Sequence, residues 1–215
     1  MNIVVIAPHP DDESIGCGGA VRLHVEKGDT VHAIFLSSGE LGLKEMAPDQ
    51  AWAVREKEAR RACQVLGIAS LQFLRLPDWM MGDDVAGAAA KLGPALLGLK
   101  GSPDVAVDRV YLPHPREWHP DHKAALPILG AAWPATGLPA PQLRGYEVWT
   151  PMAEHQHVED ITPVMACKLR ALRRHRSQTA SWPYVRAVRG LNEFRGAMSG
   201  RCRYAEVFQD LLLPG

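Results

Sequence analysis

Two short stretches of this 215-residue chain concentrate side chains able to handle metals and protons. The first is His9-Pro10-Asp11-Asp12-Glu13, one imidazole followed by three carboxylates. The second runs from Pro113 to His122 and packs three histidines, two acids and three prolines into ten residues. Neutral imidazole is a metal ligand, and a carboxylate is either a ligand or a proton acceptor. Helix capping accounts for one or two of the acids at 11–13, but not for a histidine held between Pro8 and Pro10 in an extended turn. Dinucleotide binding fails on detail. Gly16-Cys17-Gly18 follows the acids instead of the strand, the third glycine of the fingerprint falls on Val21, and three negative charges stand where a pyrophosphate would dock. A divalent metal site with a carboxylate beside it for acid–base work remains.

The elements that must position these residues follow from apolar patterning. Ile3–Ala7 is an unbroken apolar run, as expected of a strand buried on both faces of a parallel sheet. Ile15, Val21, Leu23 and Val25 give the spacing of a helix that Gly28 ends, with His24 on its surface. Residues 30–36 predict a second strand containing His32, and the polar segment 37–42 lies at its C-terminal end. A long helix is predicted over 48–66, its inner face marked by Trp52, Val54, Ala59, Ala62, Cys63 and Leu66; Arg55, Glu56 and Glu58 fall among its solvated charges. Further expectations are a strand at 71–74, a helix at 85–99, and a strand at 109–112 within the segment 105–112. Downstream come a helix at 124–132 entered late or interrupted at Pro127, a strand at 143–150, and a polar turn carrying His155 and His157. A helix at 161–174 follows, its last turn basic, and a C-terminal helix is expected near 204–213.

Alternating strands and helices imply an α/β fold, a single Rossmann-like domain over 1–215 with a mostly parallel sheet flanked by helices. Its active site belongs at the C-terminal edge of the strands. There His9 and Asp12 after the first strand and His122 after the fourth can converge as two nitrogens and one oxygen, leaving a position open as catalytic zinc sites do. Zinc makes water a nucleophile near neutral pH, and Asp11 is free to accept its proton. His119, held by Asp121, can as imidazolium stabilise an oxyanion or protonate a leaving amine. Such equipment suits hydrolysis of an amide or ester. His9-x-Asp11 with His122 also matches the two-histidine, one-carboxylate triad of non-haem iron enzymes, although those usually sit on β-barrels.

His9-Pro-Asp-Asp-Glu13 paired with His119-Pro-Asp-His122 resembles the LmbE-like, or PIG-L, family of zinc-dependent N-deacetylases. Further resemblance lies in Arg55-x-x-Glu58, the segment 146–151, Lys168 with His175-x-Ser177-Gln178, and Tyr204-Ala205-Glu206-x-Phe208. The resemblance implies one zinc ion per chain on His9, Asp12 and His122, with Asp11 as general base. His119 becomes the oxyanion stabiliser or acid, oriented by Asp121. It implies removal of acetyl from an N-acetylated amino sugar, typically an N-acetylglucosamine derivative, with Arg55 and Asp78 at positions that hold substrate. A zinc amidase acting on a sugar-linked conjugate is the nearest alternative, and a non-haem iron enzyme a more distant one. Some members carry tyrosine two residues before the histidine at 119, where this chain has Glu117. Arg116 and Trp118 then become candidates for lining the mouth, Trp118 as a stacking face for a sugar.

Bulk properties exclude other classes. Lys plus Arg equal Asp plus Glu at 24 each, so no global basic field favours nucleic acid or anionic lipid. Four scattered cysteines (17, 63, 167 and 202) form no C-x-x-C pair, which points to a reducing, cytoplasmic setting rather than a disulfide framework. No run approaches the ~20 apolar residues of a membrane span. A small-molecule amino sugar is the expected partner, with self-association into a homo-oligomer possible.

Overall fold

Successive residues of the first apolar run face opposite helix layers, and the architecture is built outward from there. The computed structural model describes residues 1–99 and 106–214. In β1 (Asn2–Ala7), Ile3, Val5 and Ala7 pack with Val31, Phe35 and Leu66, whereas Val4 and Ile6 join Leu92, Leu96 and Ile128 across the sheet. Along the chain follow α1 (Asp12–Gly16), α2 (Gly18–Glu26), β2 (Thr30–Phe35), α3 (Pro48–Leu66), β3 (Ser70–Phe73), α4 (Val85–Gly98) and β4 (Arg109–Pro113). Then come α5 (Pro120–Ala132), β5 (Gln142–Tyr146), β6 (His157–Asp160), α6 (Met165–Leu172), α7 (Arg176–Thr179), α8 (Tyr184–Arg195) and β7 (Ala205–Leu211). The strands form one sheet in the order β3-β2-β1-β4-β5-β7-β6. Pairings from β3 to β5 are parallel, and β7 runs antiparallel to both β5 and β6.

The chain moves one way from β1 to β2 and β3, then returns to lay β4 on the other side of β1. This places the switch in strand order between β1 and β4, where open α/β sheets bind ligands beyond the strand C-termini. The turn after β1 carries residues 8–13, and the loop after β4 carries 114–119. Both chemistry-bearing stretches therefore meet at one crevice.

Several sequence expectations need correction. Residues 205–211 form a strand, not a helix; buried Glu206 breaks the apolar alternation because Lys168 Nζ donates to it at 2.6 Å, also from a buried position. The turn expected at His157 is the edge strand β6, where His157 pairs with Asp210 at 3.0 Å. Helix α8 escapes apolar patterning because its buried residues are Val188, Asn192 and Arg195, a correct i, i+4, i+7 stripe with two polar members. α5 starts earlier than expected, at Pro120, where proline suits a first helical position, and it continues through Pro127. β5 stops at Tyr146, and α6 begins later than expected, at Met165. Val105 lies outside the described residues. His24 is buried, not on the surface, bonded to Asp29 and the Tyr111 hydroxyl. Arg55, Glu56 and Glu58 are buried as well, and this reversal bears on the site. All four cysteines are free thiols. No helix among the described residues is long and apolar enough to cross a membrane.

Candidate metal centre and active site

The turn out of β1 is shaped by an unusual backbone. Asp11 has φ 122°, a region rarely occupied by residues other than glycine and one whose strain must be held in place. Two contacts hold it. The Asp11 N–H donates to Glu13 Oε2 at 2.9 Å, and Arg55 Nη2 donates to Pro10 O at 2.6 Å. Glu13 is itself fixed by the Ser14 hydroxyl at 2.6 Å and by His175 Nε2 at 3.0 Å. Packing beneath is equally close: a Cβ on Gly16 would lie 2.1 Å from the Tyr146 ring, whose hydroxyl donates to Ile6 O.

The three expected ligands converge. His9 Nδ1 lies 3.3 Å from His122 Nε2 and 3.4 Å from Asp12 Oδ2, and His122 Nε2 lies 3.2 Å from the same Asp12 oxygen. Ligand atoms ~2.0–2.1 Å from a tetrahedral ion stand about 3.3–3.4 Å apart. These three atoms therefore already form one face of a coordination tetrahedron. The other carboxylate oxygen of Asp12, Oδ1, is likewise buried with no hydrogen-bond partner among the described residues. Wider groupings of His9 with His119 and His122, or with Asp78 and Asp121, also bring donor atoms within 4.8 Å of one another. The site can hold a metal ion.

Hydrogen bonds at the far side of each imidazole set its orientation. His9 Nε2 is 3.0 Å from Asp78 Oδ1 and 3.1 Å from Asp121 Oδ2. A proton on that nitrogen serves both carboxylates and leaves Nδ1 as the ligand lone pair. Asp78 is thus a partner of His9, although it also lines the cavity. Asp121 departs from expectation too. Its carboxylate accepts from His9 and from the backbone N–H groups of Trp79 and Met81 at 2.7 and 3.2 Å, not from the His119 ring. It reaches His119 through its own N–H, which donates to Nδ1 at 3.3 Å. That bond leaves the proton of His119 on Nε2.

Electrostatics divide the acids into different roles. Burial raises Asp11 to about 6, reinforced by Asp12 and opposed by Arg55, whose Nη2 sits 3.3 Å from Oδ2. Burial would raise Asp12 likewise, but His122 and His9 hold its carboxyl far below the usual range. One acid stays ionised, as a metal ligand must, while its neighbour is basic enough to take a proton. His119 is pushed down to about 4 by burial and by the nearby His9 and His122. With Nδ1 accepting the Asp121 N–H, a neutral His119 ring donates from Nε2.

Arg55 is the clearest reversal. It is buried and bonded to Gly39 O, Pro10 O and Asp11, so its fork shapes the turn that presents Asp11. It also borders a cavity of about 670 Å³ that opens over His9, Asp11 and His119. Trp118 lines this cavity; Arg116 is exposed and is not among its lining residues. Glu117, for which the sequence offers no role, is fully buried. Its Oε1 accepts the N–H groups of Val148, Trp149 and Thr150 at 2.8, 2.9 and 3.1 Å, and Oε2 faces His122 Nδ1 at 3.7 Å. His114 holds the same loop by donating to Thr150 O at 2.8 Å. Sequence reasoning also misses Trp79, Trp149, Trp182 and Tyr184 in the cavity wall, because they come from three segments far apart in the chain, at 79, 149 and 182–184.

Known proteins resemble the chain in sequence and in fold. The family described as PIG-L, GlcNAc-PI de-N-acetylase, matches residues 4–133. Diacetylchitobiose deacetylase of Thermococcus kodakarensis is 28% identical over 230 residues, covering 95% of this chain and 80% of that one. A 4-oxalmesaconate hydratase of Pseudomonas putida is 34% identical over 88 residues, covering 38% of this chain and 34% of its own length. Among solved structures, the conserved protein TT1542 of Thermus thermophilus superposes with a TM-score of 0.81 at 29% identity, covering 99% of this chain and 95% of that one.

Proposed function

The chain belongs to the PIG-L family, and on that premise we propose that it is a zinc-dependent hydrolase that removes the acetyl group from an N-acetylated amino sugar, an N-acetylglucosamine derivative. The observation carrying this reading is the donor triangle of His9, Asp12 and His122, with edges of 3.2–3.4 Å, standing beside a carboxylate of raised pKa that is not one of the three. Two imidazoles and one carboxylate suit zinc and leave room for substrate.

A zinc ion held there supplies Lewis acidity, polarising the amide carbonyl and making water nucleophilic near neutral pH. Asp11 accepts the proton that water loses as its oxygen bonds to the acetyl carbon, and returns it to the nitrogen as the C–N bond breaks. Acetic acid and the free amine result, the acid then passing its proton to the amine or to solvent, and Asp11 ends as it began. Arg55 and Glu13 keep Asp11 in its strained position through both transfers. His119 donates from Nε2 to the carbonyl oxygen as negative charge builds on it, the kind of donor that gains strength in the transition state.

The test is acetate release from a panel of N-acetylglucosamine compounds, with chelator and with zinc restored. Chelator-sensitive release supports the reading, and release from none of them overturns it. The hydratase relative motivates one second reading, addition of water to a carbon–carbon double bond by the same base and metal. Water addition to an unsaturated tricarboxylate, with no acetate from any amide, would favour that reading instead.

A further inference from the structure

The mouth of the cavity carries more exposed aromatic surface than its chemistry requires. Trp79 is 49% exposed, Trp118 56% and Trp182 62%, and all three line the one cavity above His119 together with Trp149 and Tyr184. Large apolar side chains gathered around an opening mark a binding surface. Trp79 is held there against its own backbone preference. Its φ of 68° is an outlier for a bulky residue, maintained by its N–H donating to Asp121 Oδ2 at 2.7 Å. This conformation sets the indole 4.4 Å from the His119 ring and 6.1 Å from Trp118. Trp118 is anchored in turn by its N–H on Thr150 Oγ1 at 3.1 Å. Cations are scarce by contrast: Lys44 and Arg55 are the two in the cavity lining, and the Arg55 fork is already bonded to two carbonyls and Asp11. A carboxylate or phosphate group is held best by a free guanidinium fork; the lining offers none, and Lys44 is its one cation not bonded to the turn.

We propose that this tryptophan-walled mouth is a subsite for a second, uncharged ring carried by the amino sugar, a further pyranose or an aryl group, stacked on the indoles. The preferred substrate is then a ring-bearing N-acetylglucosaminide, ahead of both the free monosaccharide and a conjugate bearing an anionic group. The inference rests on the amino-sugar reading above and specifies what is attached to the sugar.

The experiment compares kcat/KM for acetate release from N-acetylglucosamine, N,N′-diacetylchitobiose, phenyl N-acetylglucosaminide and the N-acetylglucosaminyl malate conjugate. At least one ring-bearing compound exceeds the free sugar by tenfold or more, and the faster of the two tells pyranose from aryl. In Trp118→Ala and Trp182→Ala that preference ratio falls severalfold, mainly through KM. A ratio near one, a lead for the malate conjugate, or a preference that survives both substitutions overturns the subsite while leaving deacetylation standing. Release from none of the four strikes the underlying reading instead. The subsite is still tested in that event by calorimetric titration of the metal-loaded protein with diacetylchitobiose and with N-acetylglucosamine. Tighter disaccharide binding, lost in the two variants, supports it; equal binding overturns it.

Discussion

Replacing Glu117 by glutamine separates its two tasks. Oε1 collects three backbone N–H groups from residues 148–150, and Oε2 stands 3.7 Å from a His122 Nδ1 that has no other partner among the described residues. Burial would raise this carboxyl, yet His122 and the backbone donors hold it below its ordinary value, so it is an anion facing the back of a ligand imidazole. Such carboxylate–histidine contacts are worth about 10–100-fold in metal affinity, or about 1.4–2.8 kcal/mol at 1.4 kcal/mol per tenfold. In Glu117→Gln the side-chain carbonyl keeps the three N–H groups, but an amide donor now meets the His122 N–H. Metal Kd therefore rises by about 10–100-fold while the metal-free melting temperature barely moves. Glu117→Ala also strands the three N–H groups, each costing about 1–3 kcal/mol. Its metal-free form melts at least about 6 °C lower, at ~2–4 °C per kcal/mol for a chain of this size. Competition titration against a chromogenic chelator gives Kd, and thermal melts of stripped protein give the rest. A native Kd in Glu117→Gln, or a melt lowered as far as in Glu117→Ala, would refute the division of labour.

Other outcomes follow from the same geometry. Asp11→Asn keeps one metal per chain by elemental analysis but loses about 10²–10⁴-fold in turnover, as removal of a general base does. His175→Ala frees Glu13 and so loosens the strained Asp11; kcat falls by about tenfold with KM unchanged, and His175→Gln, which can still donate to Glu13, recovers part of the loss in the same kinetic assay. Burial lowers the pKa of His24 below its ordinary value, partly offset by Asp29. Its contribution to stability is therefore full above the unfolded-state value of ~6.5 and is lost as pH falls below it. Melting temperatures recorded from pH 7.5 down to 5.5 fall less steeply in His24→Gln than in the native protein.

The parts of the fold legible in the sequence were those whose residues act locally. An unbroken apolar run such as Ile3–Ala7 belongs to a doubly covered central strand. Pro48 at the start of α3 and an acid beside a histidine also read directly, whereas Pro120 at the start of α5 did not. What stayed hidden are polar residues buried by partners distant in sequence. Glu206 disguised a strand as a helix because Lys168 neutralises it from another element. Arg55 and Glu58 read as solvated on an amphipathic helix, yet Arg55 grips the turn at Pro10 and Asp11, and Glu58 accepts Ser177 N–H at 2.9 Å. At the site, the convergence of His9, Asp12 and His122 was legible from two motifs. The carboxylates behind the imidazoles were not: Asp78 and Asp121 on His9, and Glu117 on His122, depend on where three separate loops meet. Asp121 shows the limit most plainly, since its neighbour in sequence is His119 but its carboxylate turns to His9.

The most direct test of the account is a metal titration of the stripped enzyme with acetate release as the readout. Turnover should rise linearly with added zinc and break at one ion per chain, and His122→Ala should show neither the break nor the activity. Full turnover in demonstrably metal-free protein, or a break unchanged in His122→Ala, would contradict the assignment of His9, Asp12 and His122 as the centre on which the chemistry depends.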